Sequence, residues 1–157
     1  MQRRFDQLDE VWPAGLGRRL GAMLYDGLLV LAIWIVTASL HLAVVRLVLE
    51  VPAEQVGTGL GQVLSLRLLL AITAFAFFAF FWTRGGMTLG MQAWRLRVQT
   101  LEGCSINGLQ ALQRFLVAGI SLAALGIGHF WVLVDAEKRS WPDIASGTRV
   151  VVLPKRR

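Results

Sequence analysis

The sequence predicts an all-α membrane protein. It has two spanning helices, a third apolar segment broken into a re-entrant helical hairpin, and a small two-stranded β element at the cytoplasmic face. Three observations carry that prediction. Hydrophobic residues make up 55% and charged residues 17% of the 157-residue chain, and the mean hydropathy is +0.58. A soluble domain of this size could not hide so much apolar surface. Two apolar runs, about 20–45 and 63–82, are long enough to cross a bilayer. Finally, Lys and Arg are in excess in the segments beginning at residues 1, 84 and 135 and absent from the loop at 50–62. By the positive-inside rule this places both termini and the 84–108 segment in the cytoplasm.

Taken in order, residues 1–16 read as a polar N-terminal tail, with Trp12 and Pro13 near the interface. The membrane domain is expected over 17–153 and a basic tail over 154–157. The first apolar run follows Arg18 and Arg19 and a polar lead of 17 residues. It is longer than the ~7–15 residues of a signal-peptide core, so it reads as a retained helix. The loop that follows holds Pro52, Glu50 and Glu54; the second run contains AFAFFAFFW and one charge near its outer end, Arg67, placed to snorkel.

Beyond Trp82 the pattern changes. GGMTLG (85–90) reads as a glycine-rich turn and lacks the GK[ST] ending of a phosphate loop. Trp94, Leu96 and Val98 then alternate with Arg95, Arg97 and Gln99, the period of a half-buried strand. This strand, 93–100, is expected to pair antiparallel with a second at 148–153. The apolar stretch 109–134 between them is long enough for one span. A full span would separate the two strands across the bilayer and put Lys138, Arg139 and Arg149 outside. LGIGH (125–129) supplies a break, so helices at 106–122 and 127–137, the first capped near Ser105, are preferred to a single span.

The chemistry-bearing residues are few. Arg19 and Asp26 lie seven residues apart on one helix face, roughly 10 Å along the axis. Helical side chains lean toward the N-terminus, so Arg19 leans away from Asp26 and a direct pair is strained. An uncompensated aspartate in mid-helix costs about 2.5–3.5 kcal/mol on insertion scales, so Asp26 needs a partner elsewhere. Arg114, early in the third apolar segment, is the expected one. Asp143, in WPDIASG, either caps a single helical turn ended by Gly147 or reaches the inner-face arginines, Arg19 above all. Secondary candidates are Arg18, Thr88, Gly90, His129 and Thr148. His129 could titrate near neutrality, yet beside Phe130 and Trp131 it reads more simply as an interfacial packing residue.

RRLGAMLYD with its mid-helix aspartate, TLGMQAWRLRV followed by EG, the arginine of LQRFL, and PDIASGTRVVV together resemble the RDD family of bacterial membrane proteins. The resemblance covers about residues 15–153. The arginine and two aspartates of the family name fall on Arg19, Asp26 and Asp143, with Arg18 a competing choice for the first. Met91 stands where members often carry a basic residue after TLG, and Pro142 where a histidine often precedes the last aspartate. The resemblance implies a transport role, sodium/proton antiport being reported for some members, and an inner-membrane location.

Two functions remain in view. A transporter would use Asp26 as a protonatable or Na⁺-binding carboxylate within the cluster Arg19, Asp26, Arg114 and Asp143. With so few helices it would need a homo-oligomer. A scaffold or accessory subunit would use the same cluster to hold its helices, with the lipid bilayer or other membrane proteins as partners. No cofactor or metal is expected: Cys104 is the only cysteine, and His41 and His129 are the only histidines. No nucleophile–base arrangement points to an enzyme. The net charge of +6 flanks apolar runs and builds no aromatic-interleaved groove, so nucleic acid is not an expected partner.

Overall fold

The computed structural model describes residues 2–6 and 10–155. It comprises two compact units, Met1–Asp26 with Phe78–Arg157, and Gly27–Phe77. Helix α1 (Leu16–Ala43) continues through a π-helical turn at Val44–Val48, and α2 runs over Leu60–Arg84. Both are long and apolar enough to cross a membrane. They begin and end a few residues beyond the predicted apolar runs, because an apolar count stops at Arg18, Arg19 and Arg84 while backbone hydrogen bonding does not.

The Gly27–Phe77 unit is the simpler of the two. Its buried apolar residues include Val30, Val45 and Ala74, while Leu28, Ile35, Leu40, Leu64, Leu68 and Ile72 are exposed. So large an apolar exterior suits lipid better than water. The Trp34 indole N–H donates to the Leu70 carbonyl at 2.9 Å, and His41 Nε2 lies 2.8 Å from Ser65 Oγ. The Thr37 and Ser39 hydroxyls return to carbonyls four residues back, which satisfies them within their own helix.

The other unit is built on a three-stranded antiparallel sheet in the order β1–β3–β2, formed by β1 (Trp12–Pro13), β2 (Leu96–Thr100) and β3 (Thr148–Val152). The expected β2–β3 pairing is present, with Leu96 opposite Val152, Val98 opposite Val150 and Thr100 opposite Thr148. Three expectations need correction. The sheet has a third strand, β1, on the far edge of β3. Strand β2 is shorter than 93–100, since Leu89–Ala93 forms a short helix, α3, in place of a simple glycine turn. It is also buried on both faces, not half-buried.

Among the described N-terminal residues, Arg3 and Phe5 pack against this region. Arg3 and Ser105 exchange hydrogen bonds, from Arg3 N to Ser105 Oγ at 2.8 Å and from Ser105 N to the Arg3 carbonyl at 2.7 Å. Phe5 N donates to the Gly103 carbonyl, and the Phe5 ring lies 4.1 Å from Arg97 Cζ. The next helix, α4 (Gly108–Ala123), starts two residues later than expected, so its cap is Asn107 and not Ser105. Asn107 and Gln110 form a reciprocal capping box. The expectation for the basic tail at Arg156 and Arg157 lies outside the described residues.

The third apolar segment is broken, as LGIGH predicts. Helix α4 and the run Ile127–Leu133, which comprises α5 (Ile127–Phe130) and a 3-10 turn, meet at 107°. Leu125 and Gly126 both take positive φ at the bend, and the Ser121 carbonyl accepts the Gly126 N–H at 2.7 Å. The run ends at Leu133, short of the expected 137. Helix α6 (Trp141–Ser146) follows, with Pro142 in its first turn and Gly147 in the left-handed region at its end, so the chain turns straight into β3.

Gly86 ties the end of α2 to the sheet: its φ is +69° and its carbonyl accepts the Val98 N–H at 2.7 Å. A Cβ there would collide with the Val98 carbonyl oxygen. Gly86→Ala is therefore expected to destabilise the protein by about 1–3 kcal/mol, combining left-handed strain with overpacking. Denaturant unfolding in detergent micelles measures this, with Gly85→Ala, where a Cβ meets nothing within 4 Å, as the tolerated control.

Candidate functional site

Helix α6 brings Asp143 into the unit's interior. Ser140 is the N-cap and Asp143 stands three residues on, so the two form a capping box, with Ser140 N donating to Asp143 Oδ2 at 3.1 Å. The same carboxylate, 0% exposed, receives Arg19 Nη1 on Oδ2 at 2.8 Å and Arg114 Nη1 on Oδ1 at 2.6 Å. Both roles considered for Asp143 are thus filled at once.

The two arginines are held by further acceptors. Arg19 Nε donates to the Ala14 carbonyl at 3.0 Å and Nη2 to the Lys138 carbonyl at 2.8 Å. Arg114 Nη1 also donates to Thr148 Oγ1 at 2.7 Å, and Thr148 Oγ1 lies 2.7 Å from Ser146 Oγ. Two guanidinium groups face one carboxylate, which leaves a surplus positive charge. The Trp82 ring, with its centroid 5.2 Å from Arg114 Cζ, presents its negative face to that charge.

Asp26 does not pair with Arg114, contrary to expectation. Its Oδ1 accepts the Gly90 N–H at 2.8 Å, and its Oδ2 accepts the Thr88 hydroxyl. Thr88 Oγ1 in turn caps α3 by accepting the Met91 N–H at 3.2 Å. The physical reason is the approach of the TLG segment. Gly90 lies so close to α1 that a Cβ would run into the Ala22 carbonyl and stand 2.8 Å from Asp26 Oδ1. The free backbone N–H groups at the start of a helix suit a carboxylate, so Asp26 is satisfied locally and Arg114 is left to Asp143.

The secondary candidates separate. Thr88 and Gly90 bind Asp26, and Thr148 binds Arg114. Arg18 stands apart from the carboxylates, with Nη1 on the Trp94 carbonyl at 3.3 Å, so Arg19 fills the buried position. His129 pins the bend: its Nδ1 lies 2.7 Å from Ser121 Oγ, which also accepts the His129 backbone N–H at 3.0 Å. Sequence reasoning passed over Ser140, although its three-residue spacing to Asp143 is a capping-box signal. The Ala14 and Lys138 carbonyls carried no signal, since any residue supplies one. Among the described residues, no three His, Cys, Asp or Glu side chains come together to hold a metal ion.

Burial alone would raise the Asp143 pKa. The charges of Arg114 and Arg19, with hydrogen bonds from Arg114 and Ser140, outweigh it and hold the carboxyl below the ordinary carboxylate range.

Two apolar helices long enough to cross a membrane, together with a buried arginine–aspartate network, suggest a membrane protein whose charged side chains are paired inside the fold. The model of the RDD family matches residues 13–147, and the chain belongs to that family. No curated protein and no solved structure matches it.

A depressed carboxyl pKa contributes stability above the unfolded-state pKa, and that contribution is lost as the pH falls through the folded-state value. The parent is therefore expected to lose stability progressively below about pH 5. Asp143→Asn should lose this part of the pH dependence and be weaker near neutrality by about 3–5 kcal/mol, because two buried arginines are left uncompensated. Thermal unfolding of both proteins across pH checks it.

Proposed function

We propose that this chain is a non-transporting scaffold or accessory subunit of the bacterial inner membrane. In this reading it is multi-pass, has its termini and sheet on the cytoplasmic side, and is not an enzyme. The observation that carries the reading is the saturation of both aspartates. Asp26 is occupied by Gly90 and Thr88, and Asp143 by Arg19, Arg114 and Ser140. Every carboxylate oxygen has a donor fixed in the fold, which suits a clamp more than a carrier. The partners are the lipid bilayer and other membrane proteins, or a second copy of this chain, met through exposed apolar helix faces such as Leu24, Leu28 and Ile35. Nucleic acid is not among them.

One observation favours a second reading. Asp26 lies within an apolar helix of spanning length, where an ionisable side chain often marks an ion path. Exchange of Na⁺ or H⁺ through the cluster, in an oligomer, would require Asp26 to trade Thr88 and Gly90 for the ion.

Flux measurements on purified protein in proteoliposomes, varied in pH and Na⁺, separate the two. The scaffold reading expects no flux above empty vesicles. It expects Asp26→Asn to lower stability by about 1.5–3 kcal/mol through the loss of hydrogen bonds to a charged group. A parent flux that vanishes in folded Asp26→Asn would overturn this reading in favour of ion exchange.

A further inference from the structure

A second polar feature lies apart from the aspartate clamps. Where α2 ends, a cavity of about 530 Å³ is lined by Arg3, Arg84, Arg95 and Arg97, with Asp6 the one carboxylate on its wall among the described residues. Among the described residues, arginines outnumber the carboxylate around a space of ligand size. The arginines are presented by different segments: the N-terminal arm, the last residue of α2, the turn after α3, and β2.

Several of them are held in place. The Arg97 side chain is buried; its Nε and Nη2 donate to Gln99 Oε1 at 3.1 and 2.8 Å, and Phe5 covers its face. Burial and then the repulsion of Arg149 push its guanidinium below the ordinary arginine range. Arg84 lies over the Phe80 ring, 4.5 Å from its centroid. Arg95 has a φ of +56° and its carbonyl accepts the Leu153 N–H at 2.8 Å, which fixes the backbone that carries it. Among the described residues, Arg3, Arg84 and Arg95 make no salt bridge.

We propose that this cavity is a phosphate-binding site, taking the phosphodiester of an anionic lipid headgroup or a free phosphate group. A phosphate presents oxygens in several directions and can meet guanidinium groups from several segments at once. The cavity is roomier than a bare phosphate needs, and Phe5, Leu153 and Pro154 give it an apolar wall beside the arginines. Arg84 closes an apolar helix of spanning length, so the cavity stands where headgroups would lie. The lipid source rests on the membrane reading above; the free-phosphate source does not.

Native mass spectrometry of the detergent-purified full chain tests the site. The titrants are phosphatidylglycerol and phosphatidylcholine of matched acyl chains, and inorganic phosphate added as a competitor and alone. Phosphatidylglycerol should bind at least about tenfold more tightly than phosphatidylcholine, whose choline cation opposes the arginines. The double variant Arg84→Gln/Arg95→Gln should lose that preference. Arg139→Gln, whose guanidinium pairs with Asp135 away from the cavity, should keep it. Displacement of the lipid by millimolar phosphate, or phosphate binding without lipid binding, assigns the free group. Lipid binding that phosphate leaves untouched assigns the headgroup. If the double variant unfolds, Arg84→Gln alone, at an exposed side chain, should still weaken phosphatidylglycerol by several-fold. Equal binding of the two lipids with no phosphate binding in the parent, or parent-like binding in the folded variants, overturns the proposal.

Discussion

The sharing of one buried carboxylate, Asp143, between Arg19 and Arg114 is the constraint on which the sheet-bearing unit depends. Three parts of the chain meet there that no local interaction would join: the start of α1, the middle of α4, and α6. Each arginine extends the tie, Arg19 to the carbonyls of Ala14 and Lys138, and Arg114 to the hydroxyl of Thr148 at the first residue of β3. A buried ion pair gives little net energy once desolvation is counted. Its effect here is to fix one arrangement, since any shift of α6 leaves two guanidinium groups in an apolar setting without a counter-charge.

A second clamp works by backbone recognition. Asp26 accepts the Gly90 N–H and the Thr88 hydroxyl, and Thr88 also caps α3. The chain between the end of α2 and β2 is therefore tied to α1 through a glycine small enough to lie against it. Gly86, in the left-handed region, hands its carbonyl to Val98 and sets the angle at which α2 gives way to the sheet. The two aspartates thus do related work with different partners, one with fixed charges and the other with a helix N-terminus.

Charge in this protein is sorted by burial. Asp143 and its arginines are neutralised among themselves, apart from one surplus positive charge beside the Trp82 ring. Arg3, Arg84 and Arg95, by contrast, surround a cavity at the end of an apolar helix. The first group holds the fold, and the second is the part of the surface suited to receive an anion.

From the sequence alone came the apolar runs that become α1 and α2, the break at LGIGH, the β2–β3 pairing and the family resemblance, all of which the structure or the family match supports. These features were legible because they rest on local composition and periodicity, which a chain carries wherever it folds. Arg19, Asp26, Arg114 and Asp143 stood out for a similar reason, as charges in or beside apolar surroundings. Only the tertiary structure decided who pairs with whom. It gave Arg114 to Asp143 and Asp26 to Thr88 and Gly90, added β1 to the sheet, and laid Phe5 over Arg97. Those choices depend on backbone carbonyls and N–H groups that every residue has, and on close approaches between segments distant in sequence. Neither leaves a periodic trace, so no local pattern could have assigned them.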